Sequence, residues 1–206
     1  AVYETRNGED EIFAEEAARI GHPVLPTRIP WRSRSGWGRA RDVLGTLVRE
    51  YDAAILHTYD QHSNVLAGLN RRLWPCACVA SAHGWWTRVL PLRSHVYEWV
   101  EKHVALPRFD LVLTVSQQMK GKITRGGTPE AKVRVIHTGI DPEAVRPAGV
   151  KQHLREELGI PAEACVAGIV GRIYVEKGHD RLLRAFARIA RECQALHLLV
   201  VGQGPR

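Results

Sequence analysis

The stretch that decides the fold of this chain is residues 171–178, Gly-Arg-Ile-Tyr-Val-Glu-Lys-Gly. An apolar run, Cys165–Val170, precedes it, and an amphipathic stretch, residues 179–193, follows it. This order predicts a strand, a glycine turn and a helix, with the turn at the end of a parallel strand, where open α/β sheets bind their ligands. The helix N-terminus and the cations Arg172 and Lys177 favour phosphate binding at this turn. The alternative interpretation is an ordinary turn with two solvated charges.

The spacing within this turn excludes two common phosphate-binding motifs. Lys177 precedes the second glycine, and no Ser or Thr follows it, so the turn is not a Walker A motif. The glycine spacing of a dinucleotide-binding fingerprint is also absent. The turn therefore has to be interpreted together with the rest of the chain.

Strand and helix patterns alternate along almost the whole sequence, which predicts an α/β fold with a parallel sheet covered on both faces by helices. Residues 30–38 are predicted to be a loop, since they are rich in Arg, Ser, Gly and Trp. The predicted strands are 2–5, 24–29, 53–57, 76–81, 111–116, 133–137, 165–170 and 196–201. The predicted helices are 11–20, 39–50, 61–73, 93–105, 117–124, 152–158 and 179–193.

The pattern divides the chain into two domains. Residues 139–150 contain two glycines and two prolines and are predicted to be a linker. Residues 1–138 then form an N-terminal Rossmann-like domain, and residues 151–206 the start of a second one. The second domain has only two predicted strands, and two buried parallel strands cannot close a core.

Three segments in this order resemble a known family. They are Leu111–Ser116, then Val133–Asp141 with its Gly-Ile-Asp turn, and then the Gly-Arg…Glu-Lys-Gly turn of residues 171–178. Together they closely resemble the retaining, nucleotide-sugar-dependent glycosyltransferases of family 4, which have the GT-B architecture. The resemblance implies a hexosyltransferase-type enzyme. It would transfer a sugar from a nucleotide-sugar donor to a glycan or lipid-linked acceptor, as in cell-envelope or exopolysaccharide biosynthesis.

The resemblance also implies site residues. Gly171, Arg172 and Lys177 would contact the donor diphosphate, and no metal or other cofactor would be needed. His83, in a His-Gly pair after a predicted strand, would approach the transferred sugar or the acceptor. Gly202 and Gly204 would border the nucleotide.

Each of these roles has a structural alternative. His83 could be hydrogen-bonded to neighbouring backbone, and Gly202 and Gly204 could form a plain turn. Ser116 could hold a phosphate, but capping of the following helix is favoured. Trp85, Trp86, Arg88, Arg93, Tyr97 and Trp99 form an aromatic and basic cluster that could lie on a lipid surface, although ordinary packing is favoured.

The chain departs from the family pattern at both ends. The opening strand, glycine-rich turn and first helix of the family have no counterpart, so the N-terminal domain is expected to lack its first strand and helix. The family's paired glutamates have no counterpart either. We therefore expect an internal fragment of a longer enzyme, with little or no transfer activity from residues 1–206 alone. The functional alternative is a truncated, non-catalytic Rossmann-like module that binds a phosphorylated ligand or a partner protein.

Composition narrows the class of partner and the compartment. The net charge is +7, from 29 Lys and Arg against 22 Asp and Glu. This balance suits anionic partners, but the cations are scattered, so nucleic-acid binding is not expected. The four cysteines are predicted to be reduced core thiols, with no zinc site, in the cytoplasm. Any membrane contact would be peripheral, at the inner face. A GT-B relative with other chemistry, such as a sugar-nucleotide epimerase, is a further alternative.

Overall fold

The structure is a computed structural model that describes residues 2–4, 15–21, 25–27, 34–85, 92–143, 145, 154–193 and 195–204. The chain forms two compact units, Ala1–Thr138 and Gly139–Arg206. The strands are β1 Val2–Glu4, β2 Leu25–Thr27, β3 Ile55–Thr58, β4 Ala77–Ala82, β5 Leu111–Thr114, β6 Val133–Val135, β7 Cys165–Val170 and β8 Leu196–Val201. The helices are α1 at residues 15–19, α2 Arg34–Glu50, α3 Gln61–Leu69, α4 Leu92–Val100, α5 Gln117–Arg125, α6 Leu154–Glu157 and α7 His179–Ile189.

The first unit contains a four-stranded parallel sheet with the order β3-β4-β5-β6. Helices connect successive strands, as the alternating pattern of the sequence predicts. Strands β1 and β2 pair in parallel as a separate two-stranded sheet, so the described strands do not form the single sheet that was expected for this unit. Pro26 of β2 has no backbone N–H, which limits how that strand can be paired.

The core of the first unit lies between β4, β5 and the helices α3 and α5. Its fully buried side chains include Phe109, Leu106, Ile123 and Val112. The indole Nε1 of Trp74 donates to the carbonyl oxygen of Ala67 (3.0 Å), so this buried ring is also satisfied in its polar group.

Side-chain caps fix the start of two helices in the first unit. The Asp60 carboxylate accepts from the Ser63 backbone N–H (2.7 Å), and the Ser63 hydroxyl accepts from the Asp60 backbone N–H (3.2 Å) in a capping box. Ser116 begins α5 in the same way, accepting from the Met119 backbone N–H (3.2 Å). The predicted capping role of Ser116 is therefore confirmed.

Helix α2 begins earlier than the sequence pattern predicted. Residues 34–38 were predicted to lie in a loop, but they form the first turns of the helix. Trp37 packs against the buried Ala40 and Leu66, and its ring centroid lies 5.9 Å from that of Tyr97. Two glycines in residues 34–38 have a low helix propensity, and these tertiary contacts outweigh it. The predicted loop residues 30–33 lie outside the described residues.

Several predicted helices end before their expected last residue, among them α6, at Glu157 instead of 158, and α7, at Ile189 instead of 193. Helix α3 ends at Leu69 and is followed by a 3₁₀ turn, Arg71–Leu73. Helix α4 ends at Val100 and continues as a π-helical turn, Glu101–Ala105. Gly68 explains how closely these elements pack, because a Cβ on it would lie 2.7 Å from both Cα and Cβ of Ala105.

The second unit contains the parallel pair β7-β8, aligned over six residues from Cys165↔Leu196 to Val170↔Val201. Helix α7 connects the two strands. Cys165 and Cys193 are exposed, so the prediction of core thiols is wrong for these two residues and right for Cys76 and Cys78, which are buried. Cys165 lies at the start of a strand that pairs with a single neighbour among the described residues, which fits its exposure.

Candidate functional site

The turn at residues 171–178 follows β7 and leads into α7. Residues Val175–Lys177 form a 3₁₀ turn, and Gly178 then takes a left-handed conformation (φ 71°) before the helix begins at His179. A residue with a Cβ would be strained at this φ, so the second glycine of the motif is required by the backbone. The turn therefore delivers Lys177 immediately before the N-terminus of an 11-residue helix.

A second glycine turn, residues 202–204 after β8, lies directly against the first. The backbone N–H of Gly171 donates to Val201 O (2.9 Å), and that of Ile173 donates to Gln203 O (2.8 Å). A Cβ on Gly202 would overlap the carbonyl oxygen of Gly171, and a Cβ on Gly204 would overlap that of Ile173. Both glycines are needed for this close backbone approach, which a plain isolated turn would not require.

The two cations of the turn are accessible. The Arg172 side chain is 61% exposed, and its guanidinium lies 3.9 Å from the Glu176 carboxylate and 5.3 Å from the ring centroid of Tyr174. Lys177 is exposed and forms an ion pair with none of the described carboxylates. An exposed ion pair contributes at most about 1 kcal/mol, so Glu176 does not prevent Arg172 from binding an anion.

His179 is a polar residue of this region that sequence reasoning missed. Its side chain is buried (8% exposed), and neither ring nitrogen has a hydrogen-bond partner among the described residues. Its position directly after the Lys-Gly pair was the available signal. Because the sequence pattern of α7 is amphipathic, the position was interpreted only as part of a helix.

His83 lies just beyond the carboxyl end of β4 in the first unit and is exposed. Its ring packs against Tyr59, with 4.6 Å between centroids, and forms no hydrogen bond with the described residues. The alternative of a histidine bonded to neighbouring backbone is thus not what the structure shows. Tyr59 in turn lies edge-on to His57, whose Nε2 is 2.9 Å from the Ser81 hydroxyl.

A buried carboxylate that bonds Trp85, two residues beyond His83, is the second feature that sequence reasoning missed. Glu101 is 2% exposed and accepts hydrogen bonds from the side chains of Asn64, Trp85 and Gln61. Burial raises the pKa of the Glu101 carboxyl, while these three donors act in the opposite direction. The π-helical turn that carries Glu101 could not be read from hydrophobic periodicity, since the sequence continues an ordinary helical pattern.

The aromatic and basic cluster of the sequence is only partly exposed. The Trp85 indole donates a hydrogen bond to Glu101, and the centroid of the Tyr97 ring lies 5.4 Å from that of His62. Both side chains are thus held by contacts within the protein, as the packing alternative expects. Trp99 is 58% exposed and lies 5.4 Å from the His103 ring. Trp86, Arg88 and the side chain of Arg93 lie outside the described residues. Among the helices that the structure describes, none combines the length and apolar character needed to cross a bilayer.

The predicted site residues fall into two groups. His83 lies in the first unit, whereas Gly171, Arg172, Lys177, Gly202 and Gly204 lie in the second. The structure brings the second group together on two adjacent turns.

Parallel strands connected by helices, with glycine turns at the ends of β7 and β8, define an α/β protein of Rossmann-like architecture. Residues 1–144 match the profile of Glycosyltransferase Family 4, and residues 150–206 match that of Glycosyl transferases group 1. The chain belongs to Glycosyltransferase Family 4.

Individual relatives cover parts of the chain. A D-inositol 3-phosphate glycosyltransferase of Catenulispora acidiphila is 37% identical over 92 residues, which is 44% of this chain and 21% of that protein. The D-inositol 3-phosphate glycosyltransferase of Mycobacterium bovis is 33% identical over 79 residues, 38% of this chain and 16% of that enzyme. The aligned parts are thus a small share of these relatives' length.

Solved structures share the fold over nearly the whole chain. Anabaena Alr3699/HepE in complex with UDP and glucose superposes with a TM-score of 0.67 at 17% identity, covering 100% of this chain and 54% of that one. A glycosyltransferase from Rickettsia africae gives 0.68 at 17% identity, covering 98% and 52%. The chain therefore spans about half the length of these GT-B neighbours.

Proposed function

We propose that this chain is part of a retaining glycosyltransferase that takes its sugar from a nucleotide-sugar donor. Membership of Glycosyltransferase Family 4 supports the class of reaction. The observation that carries the donor assignment is the pair of adjoining glycine turns that present Arg172 and Lys177. Two solved neighbours of the same fold hold UDP or UDP-glucose, which is the kind of ligand we propose here.

The chemistry of sugar transfer explains the two cations. Cleavage of the bond between the sugar and the diphosphate leaves negative charge on the departing phosphate oxygen. Arg172 offers a planar fork of N–H donors for the phosphate oxygens, and Lys177 offers a compact positive charge. Fixed cations at this position stabilise the transition state more than the ground state, and they do so without a divalent metal.

His83 is proposed to serve the other side of the reaction. Its exposed ring, held against Tyr59, could orient a hydroxyl of the acceptor or stabilise charge on the transferred sugar. We propose a glycan or lipid-linked acceptor, with D-inositol 3-phosphate as a further candidate because two relatives are named for it. The four free thiols suit the cytoplasm, where the enzyme would meet a lipid-linked acceptor at the inner face of the membrane.

Calorimetric titration of the chain with UDP, GDP and ADP tests the donor assignment. We expect one of them to bind, and Arg172→Ala and Lys177→Ala each to weaken binding roughly 10- to 100-fold, the value of a charge-assisted hydrogen bond. Arg184→Ala is the matched control, since it removes an exposed cation of α7 that lies 3.4 Å from Asp180. Equal affinities in all four proteins would contradict the proposal.

A further inference from the structure

The Glu101 carboxylate lies at the centre of a buried polar network in the first unit. Its Oε1 accepts from the Asn64 amide (2.7 Å), and its Oε2 accepts from the Trp85 indole (2.7 Å) and the Gln61 amide (3.2 Å). Burial of a carboxylate is costly unless its oxygens are hydrogen-bonded. The three converging donors supply that compensation, and they make the position specific for an acceptor-only group.

The same network reaches the carboxyl ends of two strands. Asn64 also donates to Ser81 O of β4 (3.1 Å), and its own Oδ1 accepts from the Thr58 hydroxyl of β3 (2.5 Å). Glu101 is thus connected, through Asn64, to the ends of β3 and β4, and the loop carrying His83 departs from β4. Side-chain networks of this kind rigidify the elements that they join.

The loop after β4 has few other attachments among the described residues. His83 contacts Tyr59 through its ring, and a Cβ on Gly84 would meet nothing within 4 Å. Trp85, two residues beyond His83, packs against the core of the first unit, and its indole bond to Glu101 fixes the orientation of its ring, with Lys102 Nζ 5.8 Å from the ring centroid. The position of His83 therefore depends on where Trp85 is held.

We propose that Glu101 is a positioning residue, which holds His83 in place through the Trp85 indole. The inference rests on the proposed function, in which His83 faces the reacting sugar or the acceptor. Glu101 itself lies in the protein interior and is not assigned a contact with substrate. Its placement on a π-helical turn fits this role, because such turns are frequent beside functional sites.

The Glu101→Gln substitution preserves volume while disturbing the network. A glutamine has one acceptor oxygen and adds an amide N–H₂, so three donors can no longer all be satisfied. The matched control is Glu98→Gln, which neutralises a carboxylate on the same helical segment that takes no part in the network. Trp74, whose indole donates to Ala67 O, reports whether the core stays folded.

Two nuclear magnetic resonance signals of the 206-residue chain test the proposal. The Trp85 indole N–H is assigned with Trp85→Phe, and the His83 ring Cε1–H is assigned with His83→Asn. In Glu101→Gln we expect the Trp85 signal to move upfield and to exchange faster with water. The His83 signal should shift as well, because its fixed contact with the Tyr59 ring is lost. The Trp74 signal and the Glu98→Gln spectrum should remain as in the unsubstituted chain.

The proposal is overturned if Glu101→Gln shifts the Trp85 signal but not the His83 signal. It is also overturned if Glu101→Gln shifts neither signal. If Glu101→Gln also displaces Trp74, the core has been disturbed, and Trp85→Phe becomes the deciding variant. It leaves Glu101 bonded to Asn64 and Gln61, so an unmoved His83 signal in that variant would equally overturn the proposal. Neither signal requires a donor or acceptor. A failed diphosphate titration would therefore count against the proposed function alone.

Discussion

At the scale of single residues, Arg172 and Lys177 are the clearest examples of site residues that sequence reasoning could supply. Both are exposed polar side chains on a turn, and their position follows directly from the strand and helix that flank them. Glu101 and His179 could not be found in the same way. The role of Glu101 depends on burial and on partners from other elements, Asn64 and Trp85, which are distant in sequence. His179 is buried, and neither of its ring nitrogens has a hydrogen-bond partner among the described residues.

Asp110 gives a residue-scale prediction for the dependence of stability on pH. Its carboxylate accepts from the Cys78 backbone N–H (2.7 Å) and from the Arg71 guanidinium (2.7 Å), which lower the pKa of Asp110. Because the folded pKa lies below the unfolded one, this stabilisation is present above about pH 4 and is lost as the pH falls through the lowered value. We expect Asp110→Asn to cost about 1 kcal/mol at pH 6, allowing for the partial exposure of the pair.

Urea denaturation of both proteins at pH 6 and pH 3 measures this difference. The gap in unfolding free energy between the two should be clear at pH 6 and should narrow at pH 3. A gap of the same size at both values would show that the charge of Asp110 does not contribute.

At the scale of elements, the strands were predicted well and the helix ends less well. Strands β7 and β8 begin and end at the predicted residues, because a short apolar run bounded by polar turns leaves little freedom. The start of α2 and the π-helical turn after α4 were missed. Both depend on tertiary contacts, of Trp37 with Ala40 and Leu66 and of Gly68 with Ala105, that no local pattern reports.

Two glycine substitutions are expected to change stability in opposite directions. The first lies where α3 packs against the π-helical turn. Gly68→Ala would place a Cβ 2.7 Å from the Cα of Ala105, so we expect a loss of about 1–3 kcal/mol from overpacking. Gly121→Ala in α5 is the matched control. Its Cβ would meet only the Arg125 side chain at 3.7 Å, so we expect a gain of roughly 0.5–1 kcal/mol from helix propensity. Thermal unfolding of the two variants checks the signs, and a stabilised Gly68→Ala would refute the packing described here.

At the scale of the whole molecule, the α/β class and the parallel direction of the strands followed from the alternation of strand and helix patterns. The alternation did not predict that β1 and β2 form a sheet separate from the four-stranded one. Sequence alternation shows that strands are parallel, but not which strands share a sheet, because pairing is decided by long-range contacts between strand edges. The family assignment was accessible because three motifs occur together, and the profile matches confirm it.

The proposed metal independence is a whole-molecule prediction. If Arg172 and Lys177 neutralise the donor diphosphate, a chelator should leave nucleoside-diphosphate affinity unchanged. Calorimetry with the best-binding diphosphate, in excess EDTA and then in millimolar Mg²⁺, makes the comparison. Binding that appears only with Mg²⁺ would contradict the proposed role of the two cations.

The central claim is that the turn at residues 171–178 recognises the terminal phosphate of a nucleoside diphosphate. Its most direct test compares the best-binding diphosphate with the corresponding monophosphate, by calorimetry, in the unsubstituted chain and in Arg172→Ala. We predict that the substitution weakens the diphosphate at least roughly tenfold more than the monophosphate, since only the former presents the terminal phosphate that we propose Arg172 binds. Equal losses for the two ligands, or no loss for either, would contradict the account.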